Sequence, residues 1–125
     1  KHAIASIFAN MNGQDLASWL RHLNDIRNVC AHHSRLWNRN TANPPRLPSL
    51  GSCALLDHLH AHPMSTRRLY AGVAICAYMM RALYPRTQWH TRFRDFVLSE
   101  APKSQLIDCR IAGFPARWNQ EALWQ

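Results

Sequence analysis

Residues 15–38 read DLASWLRHLNDIRNVCAHHSRLWN, and whether this stretch is one helix decides the fold. Its apolar residues Leu16, Trp19, Leu20, Leu23, Ile26, Cys30 and Trp37 recur at helical intervals, the spacing that gathers side chains onto one face. The pattern predicts one long amphipathic helix over 15–38, entered from the turn Asn10-Met11-Asn12-Gly13. The opposite arc carries Arg21, Asn24, Asp25, Asn28, His32 and Arg35, more polar chemistry than a core helix needs.

Working outward, residues 1–9 look like the tail of another helix. Downstream, residues 41–50, TANPPRLPSL, hold three prolines that forbid helix continuation, so a long irregular connection is expected there, of the kind that in a compact domain is functional or mobile. Residues 51–66 contain a helical turn around CALLDHLH that Pro63 breaks. A second strong helix is expected over 65–83, capped by Ser65 or Thr66, with Tyr70, Val73, Ala74, Ala77, Met80 and Leu83 offered to the core and Pro85 ending it. A third over 87–99 would bury Trp89, Phe93, Phe96 and Val97 and expose Arg92, Arg94 and Asp95. After an apolar turn near Leu106 and Ile107, the tail GFPARWNQEALW supplies Phe114, Trp118, Leu123 and Trp124 as anchors. Nothing alternates as a strand would. The fold expected is an all-α helical bundle, one domain over residues 1–125, with a long Pro-containing loop between the motif-bearing helix and the next core helix.

Composition bounds what this bundle does. A chain of 125 residues is large enough for one core, and 47% hydrophobic with 18% charged residues argues for folding rather than disorder. The balance of 15 Lys+Arg against 7 Asp+Glu gives +8, a surface that attracts polyanions, nucleic acid foremost. The basic residues are 13 arginines with only Lys1 and Lys103, and guanidinium matches phosphate oxygens in a bidentate way. Cys30, Cys53, Cys76 and Cys109 lie far apart without CxxC spacing, which reads as reduced structural thiols rather than a zinc or redox site. The most apolar stretch, 69–83, is interrupted by Arg81 and too short to span a bilayer. A cytoplasmic protein without membrane contact is expected.

Within the first helix, Asn28 and His32 are i,i+4 neighbours and His32 and Arg35 are i,i+3 neighbours, so these side chains can meet. Arg27 stands about 140° from His32 and ~7.5 Å along the axis. One helix does not join them; a second copy facing the first would. The string RNVCAH resembles the Arg-X4-His motif, usually Arg-Asn-X3-His, of the HEPN superfamily of helical ribonucleases and RNA-associated proteins. The longer LRHLNDIRNVCAHHSRLWNR, with the later LP and GFPARWNQEALW, is similar to abortive-infection proteins of the Abi-like AbiD/AbiF type, bacterial anti-phage systems. The similarity runs along the whole chain and places it as the C-terminal part of such a protein.

The resemblance implies a helical bundle that forms a homodimer through its motif helices. It also implies an RNA-cleaving site at that interface, working without metal or other cofactor, as a toxin-like effector with a neutralising antitoxin or RNA partner. His32 would act as base, acid or both, because imidazole titrates near neutrality. Arg27 would stabilise the charge on a pentavalent phosphate, and Asn28 would orient His32 or the phosphate. His33 is the rival histidine, since an Arg-X5-His reading also fits the superfamily. Arg35, Arg39 and Arg21 would hold the RNA backbone, while Trp37 reads as core. A hydrogen-bonded or solvated helix face, a non-catalytic RNA- or partner-binding module, and an oligomerisation domain remain as alternatives. The run DHLHAHP, with His58, His60 and His62, reads as an exposed loop rather than a metal site, because HxHxH aligns ligands only on an extended segment.

Overall fold

The computed structural model describes residues 11–105 and 107–125; the expected helix tail at 1–9 and the turn residue Leu106 lie outside them. Among the described residues the chain is all-α and has no strand. In order come α1 (Gly13–Ala31), a 3₁₀ segment (Ala54–Ala61), α2 (Pro63–Thr66), α3 (Leu69–Leu83), α4 (Trp89–Glu100) and 3₁₀ turns at Ala101–Lys103, Trp118–Gln120 and Ala122–Trp124.

Helix α1 starts where its cap dictates. Asn12 is extended, and its side-chain oxygen accepts from the amides of Gln14 and Asp15, both at 2.9 Å, satisfying donors that the first turn would leave orphaned. The other end departs from expectation, since the helix stops at Ala31 rather than Asn38. The amide of Ser34 bonds back to the Val29 carbonyl and that of His33 to the Cys30 carbonyl, both at 3.1 Å, while His33 takes φ 51°. These are the paired bonds and left-handed residue of a Schellman cap. The chain then leaves the helix axis, and Trp37 reaches the core by another route: its Nε1 donates to the Asp108 carbonyl at 3.2 Å and its ring stacks on Phe114 at 6.2 Å.

The expected helix over 65–83 is broken into α2 and α3 at Arg67 and Arg68. The cause comes from the far end of the chain. Buried Gly113, at φ 87°, packs against Arg68. The Ser65 hydroxyl donates to the Gly113 carbonyl at 2.6 Å, and the Tyr70 amide bonds to the Ala112 carbonyl at 3.0 Å. The tail thus caps α3 where its N-cap residue, Arg68, has no side-chain cap. Along α3, Tyr70, Ala71, Ala74, Ile75, Ala77 and Tyr78 are buried. Their mostly small side chains let α1 lie close: a Cβ at Gly72 would collide with Ile26 Cδ1 and stand 3.3 Å from His22 Nε2.

The tail anchors are buried as expected. Phe114, Trp118, Leu123 and Trp124 belong to the core, with Tyr70 at their centre. Its ring lies 4.9 Å from Phe114 and 6.2 Å from Trp124, whose Nε1 donates to the Tyr70 hydroxyl at 3.0 Å. Such aromatic pairs add about 0.5–1.5 kcal/mol each beyond their buried area. Other expected core residues are not covered. Leu20, Met80, Leu83 and Phe96 are exposed, as is Cys30, because the apolar stripes of α1, α3 and α4 are wider than the surfaces packed on them. The histidine run is helical in part rather than a loop: His58 and His60 lie in the Ala54–Ala61 segment and His62 caps it, with His58 half-buried and His60 and His62 exposed as expected. His58 Nε2 pairs with the Tyr70 hydroxyl at 2.8 Å and His60 Nε2 donates to the Pro48 carbonyl at 3.0 Å. Among the described residues no cluster of His, Cys, Asp or Glu is arranged to hold a metal ion, and no helix is long and apolar enough to cross a membrane.

Candidate functional site

The proline-rich connection does more than join two helices. It runs back along α1, whose side chains pair the backbone of Asn43 and Arg46. Asn43 donates to Asp25 Oδ2 from its amide at 3.2 Å and its side chain at 2.6 Å. Its carbonyl accepts from His22 Nδ1 at 2.9 Å. Further along, the Arg46 amide donates to Ser18 Oγ and the Arg46 carbonyl accepts from Trp19 Nε1, both at 2.9 Å. His22 and Trp19 are wholly buried beneath this strap. Burial holds the His22 imidazole below its ordinary pKa, against the opposing effect of the Asn43 carbonyl and the Asp25 carboxylate. Part of α1's unexplained polarity is therefore structural.

Beyond the strap, the end of α1 and the returning segment enclose a cleft of about 360 Å³. Asp25, Asn28 and His32 line it from the helix, Ser34, Arg39, Asn40 and Thr41 from the segment, and Ile26, Val29 and Leu36 give it an apolar part. The amide of Thr41 is tied to the Arg67 carbonyl at 2.9 Å, which fixes this wall to the turn before α3. The Thr41 hydroxyl oxygen is buried without a partner, an arrangement that costs about 1–3 kcal/mol. Arg21 belongs to a second cleft of about 430 Å³ with Ser18 and Arg46, and the two clefts meet at Ala42.

Of the residues singled out in the sequence, Asn28, His32 and Arg39 share the first cleft. Arg27 is exposed beside it and donates from NH1 to Asn28 Oδ1 at 3.0 Å. Arg27 does not line the cleft with His32, as helical geometry predicted for one copy. His32 is exposed as the C-cap of α1, and its amide closes the last turn on Asn28. His33, exposed, is the left-handed residue that ends the helix. Arg35 lies in the loop, off the helical arc assigned to it, and is also exposed. None of Arg21, Arg27, Arg35 and Arg39 forms an ion pair among the described residues, which leaves four guanidinium groups for an external anion. Sequence reasoning missed Ser34, Asn40 and Thr41 as site residues. No residue type marks them; only the path of the strap brings them opposite His32.

The end of α1 thus sets an asparagine and a histidine on a polar cleft together with Arg39, with Arg27 bonded to Asn28. The family model described as Abi-like protein matches residues 1–38 of the 125, a span that includes α1 and the whole Arg27–His32 motif. Over that part the chain is similar to Abi-like proteins. No curated protein and no solved structure matches it.

Proposed function

We propose that this protein is an endoribonuclease of the HEPN type, acting in abortive infection of the AbiD/AbiF kind, with its site formed between two copies at the ends of their α1 helices. The observation that carries the reading is the placement of the motif. Asn28 and His32 face one cleft, Arg27 is bonded to Asn28 at its edge, and both Arg27 and His32 are open to a partner surface. One copy does not place Arg27 with His32 in one cleft; a second copy related by twofold symmetry supplies the missing group twice.

In the reaction, one His32 takes the proton of a ribose 2'-hydroxyl as its oxygen attacks the adjacent phosphorus. The bond from phosphorus to the 5'-oxygen breaks, and that oxygen receives the proton back from the same His32, now an imidazolium, while Arg27 of the other copy completes the site. The products are a 2',3'-cyclic phosphate and a 5'-hydroxyl, so DNA is not a substrate. Arg27 stabilises the charge gathering on the phosphate oxygens, Asn28 holds Arg27 and the phosphate in place, and Arg39, Arg35 and Arg21 bind the flanking backbone. A neutralising antitoxin or RNA would act by covering this surface.

The test is cleavage of end-labelled RNA in excess EDTA. His32→Ala and Arg27→Ala should each lower the rate by about 10²-fold or more, with cyclic phosphate ends from the parent. Mixing the two inactive variants should restore about a quarter of the parental rate, because half of the exchanged dimers hold one intact site. Cutting by both variants at the parental rate would sink the nuclease reading. Inactive variants that stay inactive on mixing would place the whole site in one copy. RNA binding by a parent that never cuts would leave a binding module.

A further inference from the structure

The segment that returns from the end of α1 is tied twice to the turn between α2 and α3. The Thr41 amide donates to the Arg67 carbonyl at 2.9 Å, and Arg68 NH1 donates to Asn38 Oδ1 at 2.7 Å. Arg39, which lines the cleft, lies between those two ties in the chain. Arg39, Arg67 and Arg68 therefore stand together beside the cleft. We infer that this turn is a second contact for the RNA backbone, holding by its phosphates the strand that runs out of the cleft; this rests on the nuclease reading above.

Three features of the turn suit a polyanion. Arg67 is exposed, and its guanidinium forms no ion pair among the described residues. Arg68 is aimed rather than free. Its half-buried side chain packs on Gly113, where an added Cβ would stand 2.5 Å from Arg68 Cβ and 3.2 Å from Cγ, so the glycine lets the tail press against it. The head of Arg68 is held by the Asn38 amide oxygen, which orients the guanidinium without neutralising it and occupies only one of its N–H donors. The donors that remain belong to the planar fork that matches phosphate oxygens. The third feature is weak competition from the protein itself. Asp25 Oδ2 already accepts both bonds from Asn43, and Asp108, whose carbonyl holds Trp37, is paired with Arg110 at 2.9 Å. The far end of α3 offers a contrast. Arg86 is also exposed and outside any ion pair among the described residues, but the 15 residues of α3 separate it from the turn by about 22 Å, and its neighbours there are Met80, Leu83 and Tyr84.

The experiment uses the whole chain and separates binding from cutting. Single-stranded DNA of about 12 nucleotides carries the phosphates without the 2'-hydroxyl, so it is bound and not cut. RNA of the same length and an RNA dinucleotide report cleavage with and without a strand long enough to reach the turn. Arg67→Gln and Arg68→Gln should each weaken DNA binding about threefold or more at low salt and reduce the slope of log affinity against log salt by about 0.7, the value for one phosphate contact on a single strand. Arg86→Gln should change neither. On the longer RNA the two turn variants should raise KM and keep kcat, and on the dinucleotide they should match the parent. Thermal melts establish folding; should Arg68→Gln unfold, Arg67→Gln decides alone. A parental slope in Arg67→Gln, or an equal fall in Arg86→Gln, overturns the second contact and leaves the nuclease reading intact. The expected slopes in a chain that cuts no RNA keep the contact and remove the nuclease.

Discussion

The two halves of α1 differ in what their polar side chains hold. In the first half His22 is wholly buried, with its Nδ1 proton on the Asn43 carbonyl and its Nε2 facing Gly72 without a partner. Ten residues later His32 caps the same helix in solvent, on the rim of a cleft. Burial holds one imidazole below its ordinary pKa, and the other stands open to solvent. The difference teaches that stability and chemistry are separated along one element. The strap of residues 43–46 and helix α3 cover the first half, and this fixed half presents the second.

If that separation holds, changes in the covered half should act on stability and a change at His32 on reaction alone. The largest effect is expected at Trp19, which is wholly buried, meets Tyr78 edge-on at 5.7 Å and donates to the Arg46 carbonyl. Trp19→Ala should cost about 3–5 kcal/mol, read from urea denaturation, whereas His32→Ala should stay within about 0.5 kcal/mol of the parent. Equal losses for the two would break the comparison.

The pH dependence of stability sharpens it. Burial first of all holds His22, His58 and His90 below their ordinary pKa, with Arg81 and Arg94 adding to the effect at His90. The unfolded chain therefore takes up protons first as the pH drops below about 6.5, so stability is complete above that value and declines beneath it. Each histidine contributes up to about 1 kcal/mol between pH 7 and 5.5, and the three together up to about 3 kcal/mol. Denaturation midpoints across this range should fall steadily as the pH is lowered; a flat profile would mean that these imidazoles take up protons as readily in the folded protein as in the unfolded chain.

Gly72→Ala comes next. The added methyl meets Ile26 Cδ1 and His22 Nε2 at the crossing of α1 and α3, and overpacking of this kind costs about 1–3 kcal/mol. Because the collision is with the covered half, the melting temperature should fall while cleavage by the folded fraction is unchanged. A variant of parental stability would show that α1 shifts freely on α3.

How much of this was open to a reader of the sequence depends on which force set each feature. The all-α fold and the buried tail anchors were legible, because aromatic burial is strong enough to show in spacing alone. So was the shared side of Asn28 and His32, which stand one helical turn apart and line one cleft. The end of α1 was not. Trp37 sits at a position where an uninterrupted helix would also face the core, so periodicity ran on past a cap that no glycine announces. The break between α2 and α3 was hidden because the carbonyls of Ala112 and Gly113 make it, from more than forty residues away. The core was drawn too wide for a related reason: apolar spacing marks Leu20, Met80, Leu83 and Phe96 as buried, but the described residues cover them only in part. Thr41 and Asn40 entered the cleft through the path of the strap, which prolines permit but do not direct.

The smallest predicted effect separates the two adjacent histidines. His33 occupies the left-handed position of the α1 cap at φ 51°, where a side chain is tolerated and glycine is preferred. If the residue serves the backbone, His33→Gly should leave RNA cleavage unchanged and raise stability by up to about 1 kcal/mol, whereas His33→Val should lower it, since a β-branched residue fits that conformation worst. If His33 were the base instead, both variants would lose cleavage together and the sign of the stability change would not matter. The open half of α1 would then carry its chemistry on the cap residue itself, with His32 as its support.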